Sequence, residues 1–377
     1  MMSLSAIQRA TVSFSQKVRR FCTLLRKWLQ SSPAREAWFY PPERVTTPAE
    51  KYRQFNEDYF ADLHAQERML ADKQRMSFYH EAIGRKIKSG DRVIDLGTGT
   101  GILAAFASRQ GAGKVYAVDH SSIIDHAMRL AAENGIDNVD FEGVHSSNLY
   151  LEERVDVIVH EQMGDFLFDE AMVPNVCDLR DRLLKPGGVI LPSQFELFCE
   201  PITVHNSRRV PYIWDLTDVH GFDFSSMTDS RPENSEYHGL VSCDLGVVKH
   251  FIGRPSPAVR VDLHTVTETS LPHKVTFARE VINPGLIDGL VVYMKARVDD
   301  DLVLSSSPLD PERAPHWGYR ILRLDQSEAQ LGDEIEITLS VKDWADPETW
   351  RWSCGVWSSG DPDDEEGESN HDHSDDQ

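Results

Sequence analysis

The sequence contains few cysteines, no long apolar run and no internal repeat, and each absence excludes a class of protein. Its five cysteines among 377 residues lack the spacing of disulfide frameworks or metal sites, which favours a reducing compartment and predicts no metal. No apolar run approaches the roughly 18 residues that a membrane-spanning helix needs, so we expect a soluble, cytoplasmic protein without a transmembrane segment. The chain is long enough for two domains, each with its own core.

Basic residues are scarce outside the N-terminal segment, and the formal net charge is −22. Residues 1–35 carry seven Lys and Arg and no acid, whereas residues 361–377 carry nine Asp and Glu and no Lys or Arg. A protein with this much negative charge repels nucleic acid and attracts cationic partners. The charge therefore predicts no direct nucleic-acid binding and a basic substrate. Simple solubility is the alternative explanation of the same charge.

Both ends of the chain predict segments outside the folded core. Residues 1–46 predict a basic helix and a linker, because apolar residues recur at helical spacing, namely Phe14, Val18, Phe21, Leu25 and Trp28. This helix could be an N-terminal helix with a solvated face, an organelle-targeting peptide or a helix on a membrane surface. Residues 358–377 predict a disordered acidic tail.

The stretch from Val93 to Leu103 predicts a strand, a glycine-rich loop and the start of a helix. Glycine at every second position lets a ligand approach the backbone at the carboxyl end of the strand, as in doubly wound α/β sheets. The candidate binding residues in this loop are Gly97, Thr98, Gly99 and Gly101.

Two aspartates indicate which ligand this loop binds. Asp119 ends the next predicted strand, where a carboxylate can take both hydroxyls of a ribose. Asp95 lies just before the first glycine, where its charge would repel a pyrophosphate but suit an ammonium group. S-adenosylmethionine has an amino-acid end and no phosphate, so we favour it as the cofactor. An NAD-dependent oxidoreductase is the alternative.

Periodicity predicts two domains with different architectures. The first, residues 47–192, is expected to be a doubly wound, Rossmann-like α/β domain with its N-terminal helices. The second, residues 193–357, is expected to be all-β and barrel-like, because short alternating segments replace the helical pattern. The predicted elements are helices within 47–88, over 101–110 and 121–134, strands at 114–118, 139–141, 155–159, 195–199 and 334–339, and a helix end, turn and strand over 184–192.

Glu161 and Glu170 bracket a short loop after the predicted strand at 155–159, where α/β enzymes place their chemistry. Two adjacent carboxylates cannot both stay ionised without a positive guest. A guanidinium is such a guest, since carboxylates bind it in a planar, bidentate way and leave a third nitrogen to attack a sulfonium methyl. One solvated glutamate and one helix-capping glutamate remain the alternative.

Across residues 50–355 the chain resembles the protein arginine N-methyltransferases. The motifs that carry the resemblance occur in family order: Met69-Leu70-x-Asp72-x-x-Arg75, Val93 to Gly101, Asp119, Glu161 through Met163-Gly164 to Glu170, Lys185-Pro186-Gly187-Gly188, Leu191-Pro192, Trp214 to Asp223, and Pro315-His316-Trp317. The resemblance implies a Rossmann-like domain, a β-barrel-like domain and, at about 205–232, a helical dimerisation arm near Trp214 that makes a homodimer. It also implies a cis peptide bond before Pro192.

The resemblance also implies a role for each matching residue. Arg75 would hold the cofactor carboxylate, with the loop glycines beneath the methionine part and Asp119 on the ribose. Glu161 and Glu170 would hold the substrate guanidinium, and Glu161 would also contact the cofactor. His316 would pair with Asp72, orient the glutamates and help remove a proton. The remaining matches are His145 and Ser146 at the adenine, and Met69, Met163, Met172 and Trp317 on the substrate side.

Departures from the family pattern leave the number of transferred methyl groups open. Ser146 stands where an adenine-contacting Glu is usual, as in the monomethylating branch, whereas Met69 and Met172 resemble the asymmetric dimethylating branch. Pro315 replaces the usual Thr, and a second Tyr is missing after Tyr59. Two alternatives therefore stand beside the protein methyltransferase: a catalytically weak scaffold that dimerises with an active partner, and a methyltransferase for a small guanidino compound.

Overall fold

The described part of the chain consists of a parallel sheet with flanking helices, followed by antiparallel sheets. The structure, a computed structural model, describes residues 59–233 and 235–358, all within one compact unit. The basic helix predicted within 1–46 and the acidic tail beyond residue 358 lie outside the described residues. No described helix has the length and apolar character needed to span a bilayer.

The helices are α1 (Leu63–Ala71), α2 (Lys73–Lys86), α3 (Ile102–Gln110), α4 (Ile124–Glu133), α5 (Met172–Leu183) and α6 (Ser235–His238). The strands are β1 (Arg92–Leu96), β2 (Lys114–Val118), β3 (Val139–Glu142), β4 (Val155–His160), β5 (Leu184–Leu191), β6 (Gln194–Val204), β7 (Gly239–Ser242), β8 (Val248–Phe251), β9 (Val259–Asp262), β10 (Lys274–Glu280), β11 (Gly285–Arg297), β12 (Val303–Ser305), β13 (Tyr319–Ala329), β14 (Glu334–Val341) and β15 (Trp350–Trp357).

The parallel sheet has the order β3-β2-β1-β4-β5, and every neighbouring pair is parallel. Its central strands β1 and β4 are rich in buried apolar residues, as is typical of parallel sheets, and Ile94 and Ile158 are fully buried. Strand order reverses between β1 and β4, which is where doubly wound sheets bind their ligands. The Rossmann-like fold predicted from the sequence is confirmed.

Two local predictions in this domain need correction. The three-residue spacing of Asp72 and Arg75 predicts one face of a single helix. Instead, Asp72 ends α1 and caps α2, accepting a hydrogen bond from the Arg75 amide at 3.0 Å, so the two residues do not share a helix face. Residues 184–191 form one strand with a bulge, since Leu184 pairs with Val155 and Val189 with Val157. The helix therefore ends one residue earlier than the Lys-Pro-Gly-Gly motif suggests.

The second part of the chain forms two antiparallel sheets. One has the order β10-β14-β15, and the other follows β7-β13-β11-β6-β8 with β12 on β11 and β9 on β6. The cis peptide Leu191–Pro192 joins this part to the parallel sheet, as expected. Closure into a barrel stays a prediction. The arm at 205–232 contains 3-10 turns at Asn206–Arg208, Ile213–Asp215 and Ser225–Ser230 instead of the α-helix expected.

Candidate active site at the strand-order switch

The glycine loop and the double-glutamate loop leave neighbouring strands at the same edge of the sheet. Leu96 at the end of β1 pairs with His160 at the end of β4, so Gly97 and Glu161 follow side by side. All three loop glycines have positive φ. At Gly99 a Cβ would lie 2.8 Å from Gln66 Oε1, so both conformation and space favour glycine there.

Asp95 and Asp119 fix the shape of the glycine loop. Asp95 Oδ2 accepts hydrogen bonds from Thr98 Oγ1 at 2.6 Å and from the Ala104 amide at 2.9 Å, which ties β1 to the loop and to α3. Burial raises the pKa of Asp95 to about 6. Asp119 Oδ2 accepts from the Gly99 amide at 3.0 Å while Oδ1 accepts from Ser121, so Asp119 keeps acceptor capacity for a further donor.

Predicted binding residues lie in a row along this edge. Asp119 follows β2, and His145 and Ser146 follow β3, so they extend away from β1 in the strand order. Ser146 is buried and begins a short 3-10 helix whose first carbonyl accepts a hydrogen bond from Arg182 at 3.0 Å. The crevice at the carboxyl edge of the parallel sheet therefore has Asp119, His145 and Ser146 at its β2 and β3 end, away from β4.

Arg75 and Glu161 form a buried ion pair across the crevice. Arg75 Nη2 lies 3.1 Å from Glu161 Oε2, and the two side chains are 7% and 10% exposed. Arg75 Nη1 also donates to the Met69 carbonyl at 3.1 Å. The residue expected to hold the cofactor and one of the residues expected to hold the substrate are therefore in direct contact.

Glu170 ends a loop whose backbone is locally strained. Leu167 and Ala171 have φ values of 70° and 54°, a region that costs non-glycine residues free energy and is common at functional sites. Asp169 stabilises the loop by accepting from the Phe166 amide at 3.0 Å, and a Cβ on Gly164 would clash with that carboxylate. Burial, and next the negative charge of Glu161, raise the pKa of Glu170 well above its usual value. The two glutamates therefore lie close enough to repel each other.

The segment 316–318 connects these parts through its backbone and one indole. The His316 amide donates to Asp72 Oδ2 at 2.8 Å, the Gly318 amide donates to Asp165 Oδ1 at 2.9 Å, and Trp317 Nε1 donates to the Met163 carbonyl. The predicted contact between His316 and Asp72 thus runs through the His316 amide and not through its imidazole. Burial lowers the pKa of His316, and its Nδ1 has no hydrogen-bond partner among the described residues.

Four side chains expected on the substrate side are buried in the structure. Their exposed fractions are 5% or less, and the residues are Met69, Met163, Met172 and Trp317. All but Met69 belong to the main hydrophobic core. Direct contact of these side chains with a substrate stays a prediction.

The unpaired polar atoms around the crevice fit the amino-acid end of S-adenosylmethionine. Arg75 Nε is a buried donor and Asp95 Oδ1 a buried acceptor, and neither has a hydrogen-bond partner in the described part of the chain. A carboxylate needs donors and an ammonium needs acceptors. Gly97 leaves open space on its Cβ side, with Gln162 Nε2 as the nearest atom at 3.9 Å. The donor set therefore suits a zwitterion and not a pyrophosphate.

Comparisons with known proteins agree with this geometry. Residues 76–193 match the family described as ribosomal protein L11 methyltransferase (PrmA). Protein arginine N-methyltransferase 6 of Danio rerio is 33% identical over a 311-residue alignment that covers 78% of this chain and 86% of that protein. Probable protein arginine N-methyltransferase 6.2 of Oryza sativa subsp. indica is 36% identical over a 321-residue alignment that covers 75% of this chain and 80% of that protein.

The chain belongs to the protein arginine N-methyltransferase family. Among solved structures, protein arginine methyltransferase 10 of Arabidopsis thaliana, described in an open conformation, matches with a TM-score of 0.69. The sequences are 26% identical, and the match covers 80% of this chain and 96% of that one. This likeness confirms a Rossmann-like domain followed by an antiparallel β-sheet domain.

Sequence reasoning missed four residues of this methyltransferase site. Gln66 from α1 covers Gly99, and Gln162 stands over Gly97. Tyr79 donates its hydroxyl proton to the His160 carbonyl at 3.0 Å, while the His160 ring contacts the Pro192 carbonyl at 2.9 Å. Glutamine, tyrosine and histidine at these positions form no sequence motif that predicts a site. Only the position of Gln162, directly after Glu161, could have indicated a role.

Acid is expected to destabilise the methyltransferase through His160. Burial lowers its pKa to about 4, so the folded chain keeps this ring neutral, whereas an unfolded histidine binds a proton near pH 6.5. The free energy of unfolding should therefore fall as pH decreases from about 6.5 to about 4, by about 3 kcal/mol. Denaturant unfolding at several pH values measures this loss. In His160→Gln, whose amide nitrogen takes the place of the ring Nε2 and can still donate to the Pro192 carbonyl, the curve should be flatter by that amount. Parallel curves would contradict the assignment.

Proposed function

We propose that this chain transfers a methyl group from S-adenosylmethionine to a guanidino nitrogen of arginine in protein substrates, and that Glu161 and Glu170 bind the guanidinium. The observation that carries the proposal is the pair of glutamates at the strand-order switch, where burial and mutual repulsion raise the pKa of Glu170. Such a site gains most from a planar cation with several donors, which describes guanidinium. The acidic body of the chain favours basic protein substrates.

S-adenosylmethionine supplies, when bound, a methyl group on a positively charged sulfur. Arg75 would bind its carboxylate, Asp95 and the loop from Gly97 to Gly101 its amino-acid part, and Asp119 its ribose. His145 and Ser146 would lie at the adenine. These assignments are supported by the unpaired Arg75 Nε and Asp95 Oδ1 and by the open side of Gly97.

The glutamates orient the substrate and His316 handles a proton. Bidentate contacts with Glu161 and Glu170 fix the guanidinium plane, which reduces the entropy cost of aligning the attacking nitrogen. That nitrogen loses a proton after it accepts the methyl group. His316 is a candidate acceptor at Nδ1, since burial keeps its imidazole neutral. Asp72 positions His316 through the backbone amide.

Mass spectrometry of an arginine-glycine-rich peptide, incubated with the purified chain and methyl-labelled S-adenosylmethionine, tests the activity. Labelled methylarginine in the peptide is the expected result. A chain that binds the cofactor but labels nothing without a second methyltransferase would instead be a scaffold. Label on a small guanidino compound and none on peptide would replace the protein substrate.

The affinity for the arginine substrate is expected to increase with pH. Because the pKa of Glu170 is raised, its carboxyl keeps a proton that guanidinium binding must displace. As pH rises through that pKa the proton is already lost, so KM for the peptide should fall by up to about tenfold per pH unit and then level off. Calorimetry in two buffers should show proton release on peptide binding. A pH-independent KM without proton release would contradict this account.

We also propose that the chain forms a homodimer through the arm at 205–232. The arm exposes several large apolar side chains, and Phe222 is 68% exposed. Apolar surface of this kind marks interaction sites. Phe222→Asp should shift the chain from dimer to monomer in sedimentation analysis while the circular dichroism spectrum of the folded chain stays unchanged, because Phe222 packs little within one chain. A monomeric unsubstituted chain would contradict the proposal.

A further inference from the structure

The side chain of Gln162 lies next to the glycine loop, and the mechanism described above does not use it. It directly follows Glu161 in the loop after β4, and its side-chain nitrogen lies 3.9 Å from the position of a Cβ on Gly97. The pairing of Leu96 with His160 explains this closeness, because both chains leave the sheet at neighbouring points. The carboxamide of Gln162 therefore stands over the first glycine of the loop.

The Gln162 Oε1 atom is a buried acceptor without a donor. It makes no hydrogen bond to any described residue, and the same is true of Asp95 Oδ1, two positions before Gly97. The nearby cation does not serve them, since Arg75 donates through Nη2 to Glu161 and through Nη1 to the Met69 carbonyl, and its Nε bonds to neither acceptor. Buried acceptors without a hydrogen-bond donor are unfavourable unless a ligand brings donors.

We propose that Gln162 is a cofactor-binding residue whose Oε1 accepts a hydrogen bond from the ammonium group of S-adenosylmethionine. The inference rests on the proposed function. The ammonium is the part of that molecule with several N–H donors at its amino-acid end, whereas the adenine belongs to the β2 and β3 end of the crevice. The substrate guanidinium is held between Glu161 and Glu170, so it does not need Gln162. Gln162 thus recognises the free amino acid of the cofactor.

Two ligands separate this role from a merely structural one. S-adenosylhomocysteine carries the amino-acid end, and 5′-methylthioadenosine has the same nucleoside and thioether without it. Gln162→Leu should weaken S-adenosylhomocysteine binding by about tenfold, as expected for one hydrogen bond to a charged group, and leave methylthioadenosine within about twofold. Gln162→Glu, which keeps the acceptor, should retain binding of S-adenosylhomocysteine. Exposed Gln330→Leu is the matched control and should change neither affinity.

Calorimetric dissociation constants for both ligands give a clear outcome. Equal losses for the two ligands in Gln162→Leu would overturn the proposal, because a displaced loop would affect both. Unchanged S-adenosylhomocysteine binding with weaker peptide binding would overturn it as well and assign Gln162 to the guanidinium. If the unsubstituted chain bound neither ligand, the proposed function itself would fail. If it bound both and Gln162→Leu behaved identically, this inference alone would fail.

Discussion

Glu170→Gln is expected to abolish methyl transfer while S-adenosylhomocysteine still binds. The substitution keeps the size of the side chain but removes the charge that pairs with the guanidinium. It also removes the repulsion from Glu161 that contributes to the raised pKa of Glu170, so the fold should lose no stability. We expect the transfer rate to fall by about 10³-fold, the scale of one electrostatic contact that develops with the reaction.

Glu161→Gln should differ from Glu170→Gln in a way that identifies the two roles. Glu161 also pairs with Arg75, so its loss should reduce both methyl transfer and folding stability. The amount of labelled product measures methyl transfer, and calorimetry shows whether the cofactor still binds. The exposed Glu152→Gln is a matched control for the loss of one negative charge and should behave as the unsubstituted chain does. Transfer within about tenfold of normal in Glu170→Gln would remove this residue from the site.

The local parts of the site could be predicted because their signals lie within short stretches. β1, the glycine loop and α3 occupy consecutive residues, and the alternation of glycines reflects positive φ at three positions. The strand-order switch also follows from sequence, because parallel strands bring their carboxyl ends to one edge. Asp119 and the double-glutamate loop lie at that edge because each directly follows a parallel strand.

Contacts between distant segments could not be predicted from spacing. His316 meets Asp72 across 244 positions through a backbone amide, and any residue type except proline could supply that amide. Arg75 meets Glu161 across 86 positions, and no spacing in the sequence indicates that contact. Burial of Met172 depends on how α5 packs on the sheet. Such features arise from tertiary packing, which leaves no periodic trace.

Arg75→Met is expected to destabilise the chain by about 3–5 kcal/mol, because it leaves the Glu161 carboxylate buried without its partner. The pair is almost inaccessible, with side chains 7% and 10% exposed, so water cannot replace the lost contact. The same variant should lose most affinity for S-adenosylhomocysteine. Arg75→Lys keeps the charge but cannot reach both Glu161 and the Met69 carbonyl with a planar fork, so it should recover only part of each loss.

The double variant Arg75→Met with Glu161→Gln decides whether burial of an unpaired charge is the cause. If it is, the double variant should be more stable than Arg75→Met by about 2 kcal/mol, since the unpaired Glu161 charge is then absent. Urea unfolding without ligand measures this difference. Lys114→Met is a matched control: it breaks a half-exposed pair with Asp140, and such pairs contribute about 0–1 kcal/mol. If the losses in free energy of unfolding of the two single variants add up in the double variant, Arg75 stabilises the fold through its packing alone. Its guanidinium could then bind a ligand without destabilising Glu161.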